Sequence, residues 1–284
     1  MAVVINTNVD SLKIQANLTS ATSKMSTTMQ RLSSGLKVLS AKDDAAGTVI
    51  AARMAVQMNG NKIAQNNVQN GNAMLQTAEG HLDVIQDNLS RIRDLTLQAK
   101  NGTYSLEEKE AMQDEVVALM DEIDRVNKSS KYSSLALFDD ETLQDEGVTF
   151  QVGANSTDEN TINASSELFQ AVNFSGITQL EKADFNISTY TTDELAEAID
   201  KLDQGLDDIT GRKSIIGAVQ NRLESALDTL TTQYENLSSA KSVILDANIA
   251  QEASDYTQNS ILQQVSTSLL AQANQAPSIA LSLV

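Results

Sequence analysis

His81 is the single imidazole in the chain, so a Ser/His/Asp relay could be built on no other residue. The sequence has no Gly-x-Ser-x-Gly turn to raise a nucleophilic serine, and a histidine directly after Gly80 reads as a surface residue. Cysteine is absent, which removes thiol nucleophiles, disulfides and thiolate metal sites together. Carboxylate metal centres in helical bundles draw on Glu-x-x-His pairs, and the chain contains none. Asp43 and Asp44 are adjacent carboxylates that could share acid/base work, but they stand where a helix starts. There, carboxylates accept from free amides and favour the positive dipole end, so both are expected to be caps. Asp139, Asp140, Glu141, Asp145 and Glu146 lack the Asp-x-Asp-x-Asp-Gly spacing of a calcium loop, which leaves a solvated acidic face. Met25, Met29, Met54 and Met58 recur near helical spacing, as adaptable packing does. No catalytic residue, metal or cofactor is expected.

The elements that would carry these residues are long helices. Leu18, Ala21, Met25, Met29, Leu32, Leu36 and Leu39 step by threes and fours, which predicts a helix over residues 8–39 with Gly35 as a bend or close-packing point. A second apolar stripe runs from Asp44 to about Gln98 without a proline. Unbroken, it would extend on the order of 80 Å. Asn101-Gly102 signals a turn, and Ser105 followed by Glu108 reads as a capping box opening a third helix to about Asn127. Beyond Lys131 the short β-prone runs 148–152 and 161–163 predict a small hairpin, within a middle region of about 139–190. Helical periodicity returns at Thr192, and a last helix is expected over about 247–274, stopping near Pro277. The fold class is therefore mainly α, a long antiparallel helical bundle or coiled coil with a small β-hairpin region, and its two ends lie side by side.

Charge distribution says what those ends are for. The net charge of −18 over 284 residues repels phosphate backbones and anionic lipid heads, which excludes nucleic acid and membrane surfaces as partners. No charged side chain follows Asp255, and residues 1–41 carry only Asp10, Lys13, Lys24, Arg31 and Lys37. The tail from Ile261 onward is interrupted by Gln, Ser, Thr and Asn, so it falls short of a membrane span. The start lacks the basic and apolar regions of a cleaved secretory signal. Both ends are expected to be buried against protein. Rich in Ala, Ser, Thr, Gln and Asn, two such helices would barely offset their ordering entropy alone, so they need more copies around them.

The run Arg31-Leu32-Ser33-Ser34-Gly35-Leu36 and the following Ser40-Ala41-Lys42-Asp43-Asp44-Ala45-Ala46-Gly47 resemble bacterial flagellin. So do Val3 and Ile5-Asn6-Thr7-Asn8, Glu122-Ile123-Asp124-Arg125-Val126, Gly217-Ala218-Val219-Gln220-Asn221-Arg222, and Ser268-Leu269-Leu270-Ala271-Gln272-Ala273-Asn274-Gln275. Matches in the right order at both ends are more specific than any one motif. The resemblance implies a short flagellin with little or no variable outer domain. Residues 1–42 and 243–284 would pair as an inner domain, and 43–242 would form a rod-like helical domain. Leu18, Met25, Leu32, Leu36 and Leu39, with Ile261, Val265, Leu269, Leu270 and Ala273, would then pack the filament.

Function follows from the same resemblance: a self-assembling subunit of the flagellar filament, an open helical tube that propels swimming. It implies an extracellular location reached by type III export without a cleaved signal peptide, an export chaperone on the C-terminal helix, and filament cap and hook-junction proteins as partners. Flagellins of some bacteria share a patch read by a host innate immune receptor, and the matching positions are Arg91, Leu95 and Glu115. Ser90 and Leu119 depart from that pattern. The ordinary alternative packs Leu95 inside the bundle and pairs Arg91 with Glu115 on its surface. Two rivals are a hook-filament junction protein and a non-motility helical signalling protein.

Overall fold

The computed structural model describes residues 7–281, with side chains through 275. In chain order the elements are α1 (Val9–Ser34), α2 (Ala45–Ala99), α3 (Leu106–Ser129), β1 (Lys131–Tyr132), β2 (Leu135–Ala136), α4 (Glu141–Glu146), β3 (Val148–Gln151), β4 (Thr161–Ala164), α5 (Phe174–Thr178), α6 (Thr192–Leu245) and α7 (Ile249–Leu281). They form two compact units, Met1–Met58 with Glu235–Val284, and Asn59–Tyr234, the divisions falling within α2 and α6.

In the unit Asn59–Tyr234, three helical stripes share one core. Val68, Leu75, Leu82, Ile85, Leu89 and Ile92 of α2 are fully buried, as are Val116 and Ile123 of α3 and Leu202, Ile209, Ile216 and Leu223 of α6. Steps of three, four and seven keep each set on one helix face, and that spacing makes the burial possible. Ser105 opens α3 with a reciprocal capping box, its amide donating to Glu108 Oε2 at 2.7 Å. The hairpin pairs β3 with β4, Val148 opposite Ala164 through Gln151 opposite Thr161. It lies on α2 where glycines admit it: a Cβ at Gly71 would come within 2.9 Å of the Phe150 ring, and one at Gly60 within 2.5 Å of Ala154.

The segment 165–190 has little regular structure, so its backbone groups need partners from elsewhere. Helix side chains supply them. Gln113 donates to the Phe185 carbonyl at 2.9 Å and accepts from the Ile187 amide at 2.8 Å. Asn127 accepts from the Val172 amide at 2.9 Å, and Arg212 donates to the Gln170 carbonyl at 2.6 Å. Phe174 and Phe185 then meet edge-on within the core, their centroids 5.4 Å apart.

The other unit contains the paired ends. Here the structure corrects two expected boundaries. α1 stops at Ser34, not residue 39, because Gly35 takes a left-handed conformation (φ 72°) and its amide caps the Arg31 carbonyl at 2.8 Å. Leu36 and Leu39 therefore lie beyond the helix whose stripe they continue. At the other end α7 follows a helical path past Pro277 to Leu281, where a stop was expected. Proline's φ of about −65° is itself helical, and it removes one amide donor without forcing the path to end. The acidic run at 139–146 also gains structure, since Asp140 caps α4 by accepting from the Thr142 amide at 3.0 Å.

Candidate functional site

α1 and α7 pack antiparallel, because their contacts descend on one helix as they ascend on the other. Asn8 Nδ2 donates to the Ala273 carbonyl at 2.8 Å, Gln263 Nε2 to Thr22 Oγ1 at 3.3 Å, and Arg31 Nη1 to Glu252 Oε1 at 3.3 Å. What this seam buries is small or polar: Ala21, Thr28 and Glu252. Leu18, Met25, Leu32, Leu270 and Ala273 are half-buried along it.

Among the described residues, several large apolar side chains of the pair stay uncovered. Ile261, Val265 and Leu269 step by four along α7 and remain 55%, 47% and 45% exposed, with Leu262 beside them. Val9, Leu12 and Met29 of α1 are likewise exposed. Charged residues are missing from this stretch of α7, so nothing ionic holds the apolar side chains in water. Leu39, also exposed, borders a shallow hollow of about 510 Å³ with Met29, Gln30, Ser33 and Ser34. Contiguous exposed apolar surface rimmed by polar residues marks a protein interaction site.

Both chain segments leave their helices at one level, and a single antiparallel bridge pairs Leu36 with Asp246. The Lys37 amide donates to the Leu245 carbonyl at 2.6 Å, and the Ala247 amide to the Gly35 carbonyl at 2.8 Å. The paired acids then start α2. Asp43 Oδ2 accepts from the Leu39 amide at 3.1 Å and the Ser40 amide at 3.0 Å, while Asp44 Oδ1 accepts from the Gly47 amide at 2.9 Å. The hydrogen bond from the Ser40 amide, more than any other contact, holds the Asp43 carboxyl below the usual carboxylate range. These carboxylates are occupied by backbone donors, which suits capping and leaves little for acid/base chemistry.

The three receptor-patch positions lie in the other unit and do not share one surface. Leu95 is 2% exposed and belongs to the core. Arg91 and Glu115 are exposed and bind each other at 2.7 Å. His81 is half-buried on α2, where burial lowers its imidazole pKa. Among the described residues no group of three or more His, Cys, Asp or Glu side chains could hold a metal ion, and no helix is long and apolar enough to cross a membrane.

The chain matches the bacterial flagellin N-terminal helical region over residues 5–142 and the bacterial flagellin C-terminal helical region over 199–284. It is 33% identical over 297 residues to a flagellar filament 33 kDa core protein of Treponema phagedenis, and 35% identical over 281 residues to a flagellin of Halalkalibacterium halodurans. Each alignment covers 99% of both chains. The chain belongs to the bacterial flagellin family. Flagellins are structural proteins of the extracellular filament, and the paired helices of this flagellin are regions that the family shares. A solved structure from Vibrio parahaemolyticus, of a protein assigned to the flagellar hook-associated kind, superposes with a TM-score of 0.57 over 71% of this chain and 99% of its own. At 14% identity that likeness concerns the fold alone. Sequence reasoning on this flagellin did not find Gln113, Asn127 and Arg212 as anchors of the 165–190 segment; only their proximity in space reveals them.

Proposed function

We propose that the chain is the self-assembling structural subunit of a bacterial flagellar filament, a helical tube that serves as a propeller, and that it performs no catalysis. The observation that carries the reading is the uncharged, exposed ridge Ile261, Val265 and Leu269 on α7, the helix that pairs with α1. A second copy of this chain is the occupant that removes such a ridge from water, and head-to-tail contacts that do not close extend without limit. Full-length likeness to filament proteins favours this over a hook-junction role.

Residues 1–42 and 243–284 act as the inner packing domain in this reading, with 43–242 as the rod outside it. The subunit reaches the cell exterior by type III export, its C-terminal helix held by an export chaperone, and is placed under a cap protein beyond the hook-junction proteins. Of the receptor-patch positions Arg91, Leu95 and Glu115, a host receptor would meet Arg91 and Glu115 as a solvent-exposed ion pair.

Electron microscopy of the purified chain after adding screening or excluding salts tests the reading. Long filaments are expected, since salt weakens repulsion among subunits of net charge −18 and strengthens apolar burial. Monomers that persist even with filament seeds contradict it. Deleting residues 247–284 should leave a soluble helical rod that cannot join filaments.

A further inference from the structure

Three Asn-Gly pairs occur in the chain, at 59–60, 70–71 and 101–102. All three asparagines are exposed, so water reaches each of them and access does not distinguish them. Their backbones do. Asn59-Gly60 and Asn70-Gly71 lie inside α2, where the following amide donates into the helical ladder and the dihedrals are fixed. The hairpin also packs onto those glycines, at Ala154 and Phe150. Asn101-Gly102 lies instead in the turn between α2 and α3, and Gly102 has open space where a side chain would be.

The turn is also shaped for attack. The Thr103 amide donates to Asn101 Oδ1 at 3.3 Å, which folds the side-chain amide back along the Gly102 peptide. Gln98 Nε2 donates to the Tyr104 hydroxyl at 2.7 Å and holds the turn from both sides.

We propose that Asn101 is a site of spontaneous covalent modification, at which the Gly102 nitrogen displaces the side-chain amide to give aspartate and isoaspartate. In the first step the Gly102 backbone nitrogen bonds to Asn101 Cγ, the Cγ–Nδ2 bond breaks, and ammonia leaves with the proton from the backbone amide. A five-membered cyclic imide results. Water then opens the ring: breaking the bond from Cγ to the Gly102 nitrogen gives aspartate, and breaking the bond from the main-chain carbonyl carbon to that nitrogen gives isoaspartate. No electron transfer is involved. Either product adds a negative charge ahead of α3, and isoaspartate also lengthens the turn by one backbone carbon.

Trypsin separates the three pairs into different peptides, because Lys62, Arg91 and Lys100 lie between them. The full chain is incubated at mildly alkaline pH, once native and once in denaturant, and each peptide is followed by mass spectrometry with isoaspartate detection. In the native chain the Asn101 peptide converts about tenfold or more faster than the other two, because α2 must open locally before its own pairs can react. Denaturant removes the difference. Gly102→Ala, which meets nothing, slows the turn's conversion without shifting the melting temperature. Equal rates for all three pairs in the native chain would overturn the proposal, as would an unchanged native Asn101 peptide beside a converted denatured one.

Discussion

Arg31 of α1 and Glu252 of α7 meet at 3.3 Å across the terminal helix pair, and Glu252 is only 8% exposed in a seam that otherwise buries Ala21 and Thr28. An ion pair at one level of a weakly packed seam fixes how the helices are staggered, since a slip by one turn would leave a largely buried carboxylate without its partner.

Glu252→Gln keeps the shape and removes the charge. It should raise the monomer concentration that coexists with filaments about tenfold, roughly 1.4 kcal/mol per subunit. That lies below the usual cost of breaking a buried pair because the Arg31 side chain keeps 30% exposure. Sedimentation of filaments at equilibrium measures it; an unchanged soluble concentration would remove the register role.

The two apolar classes should separate cleanly by mutation. Leu89→Ala empties a fully buried position and should cost about 3 kcal/mol in the unfolding of the monomer. Ile261→Ala, at an exposed position, should change that by less than about 0.5 kcal/mol yet raise the soluble concentration beside filaments. Paired denaturant melts and sedimentation decide, and equal destabilisation of the monomer by both would contradict the assignment of Ile261 to the interface.

Two glycines of α2 should respond in opposite directions to alanine. At Gly80 nothing lies within 4 Å, so Gly80→Ala should stabilise by up to about 1 kcal/mol through helix propensity. At Gly60 the new Cβ would meet Ala154 Cβ at 2.5 Å and its Cα at 3.2 Å, a rigid neighbour, so the hairpin must shift at a cost of about 1–3 kcal/mol. Thermal melts of the two variants measure both signs.

Acid should loosen the start of α3 in a way that Glu108 controls. The Ser105 amide first, and its hydroxyl second, hold the Glu108 carboxyl below the ordinary glutamate range. A carboxylate whose pKa is lowered by folding stabilises above its unfolded value and loses that contribution as pH falls through the folded one. The cap is therefore fully present at neutral pH and fades in acid. Amide exchange at Ser105 followed against pH should show this, and Glu108→Gln should flatten the profile.

Much of the fold was legible because its signals are local or periodic. The Ser105 and Glu108 box, the start at Thr192 and the strand pair around residues 148–151 and 161–164 each need only a few residues of context. The end of α1 was not, because Leu36 and Leu39 carry the apolar steps past a break set by a positive φ at Gly35. The segment 165–190 has no period to read, and its anchors on α3 and α6 lie between 42 and 74 residues away in sequence. At the receptor-matching positions the structure has the ordinary arrangement that helical periodicity and charge allowed from the sequence, with Leu95 facing inward and Arg91 and Glu115 facing each other.

The central claim is that α1 and α7 become firmly ordered only when other copies cover Ile261, Val265 and Leu269. Amide exchange of monomer and filament side by side tests it most directly. In the monomer, α1 and α7 should exchange rapidly while the core stretches of α2, α3 and α6 within Asn59–Tyr234 are protected, and in the filament both terminal helices should become protected as well. Strong protection of α1 and α7 already present in the monomer would contradict the account.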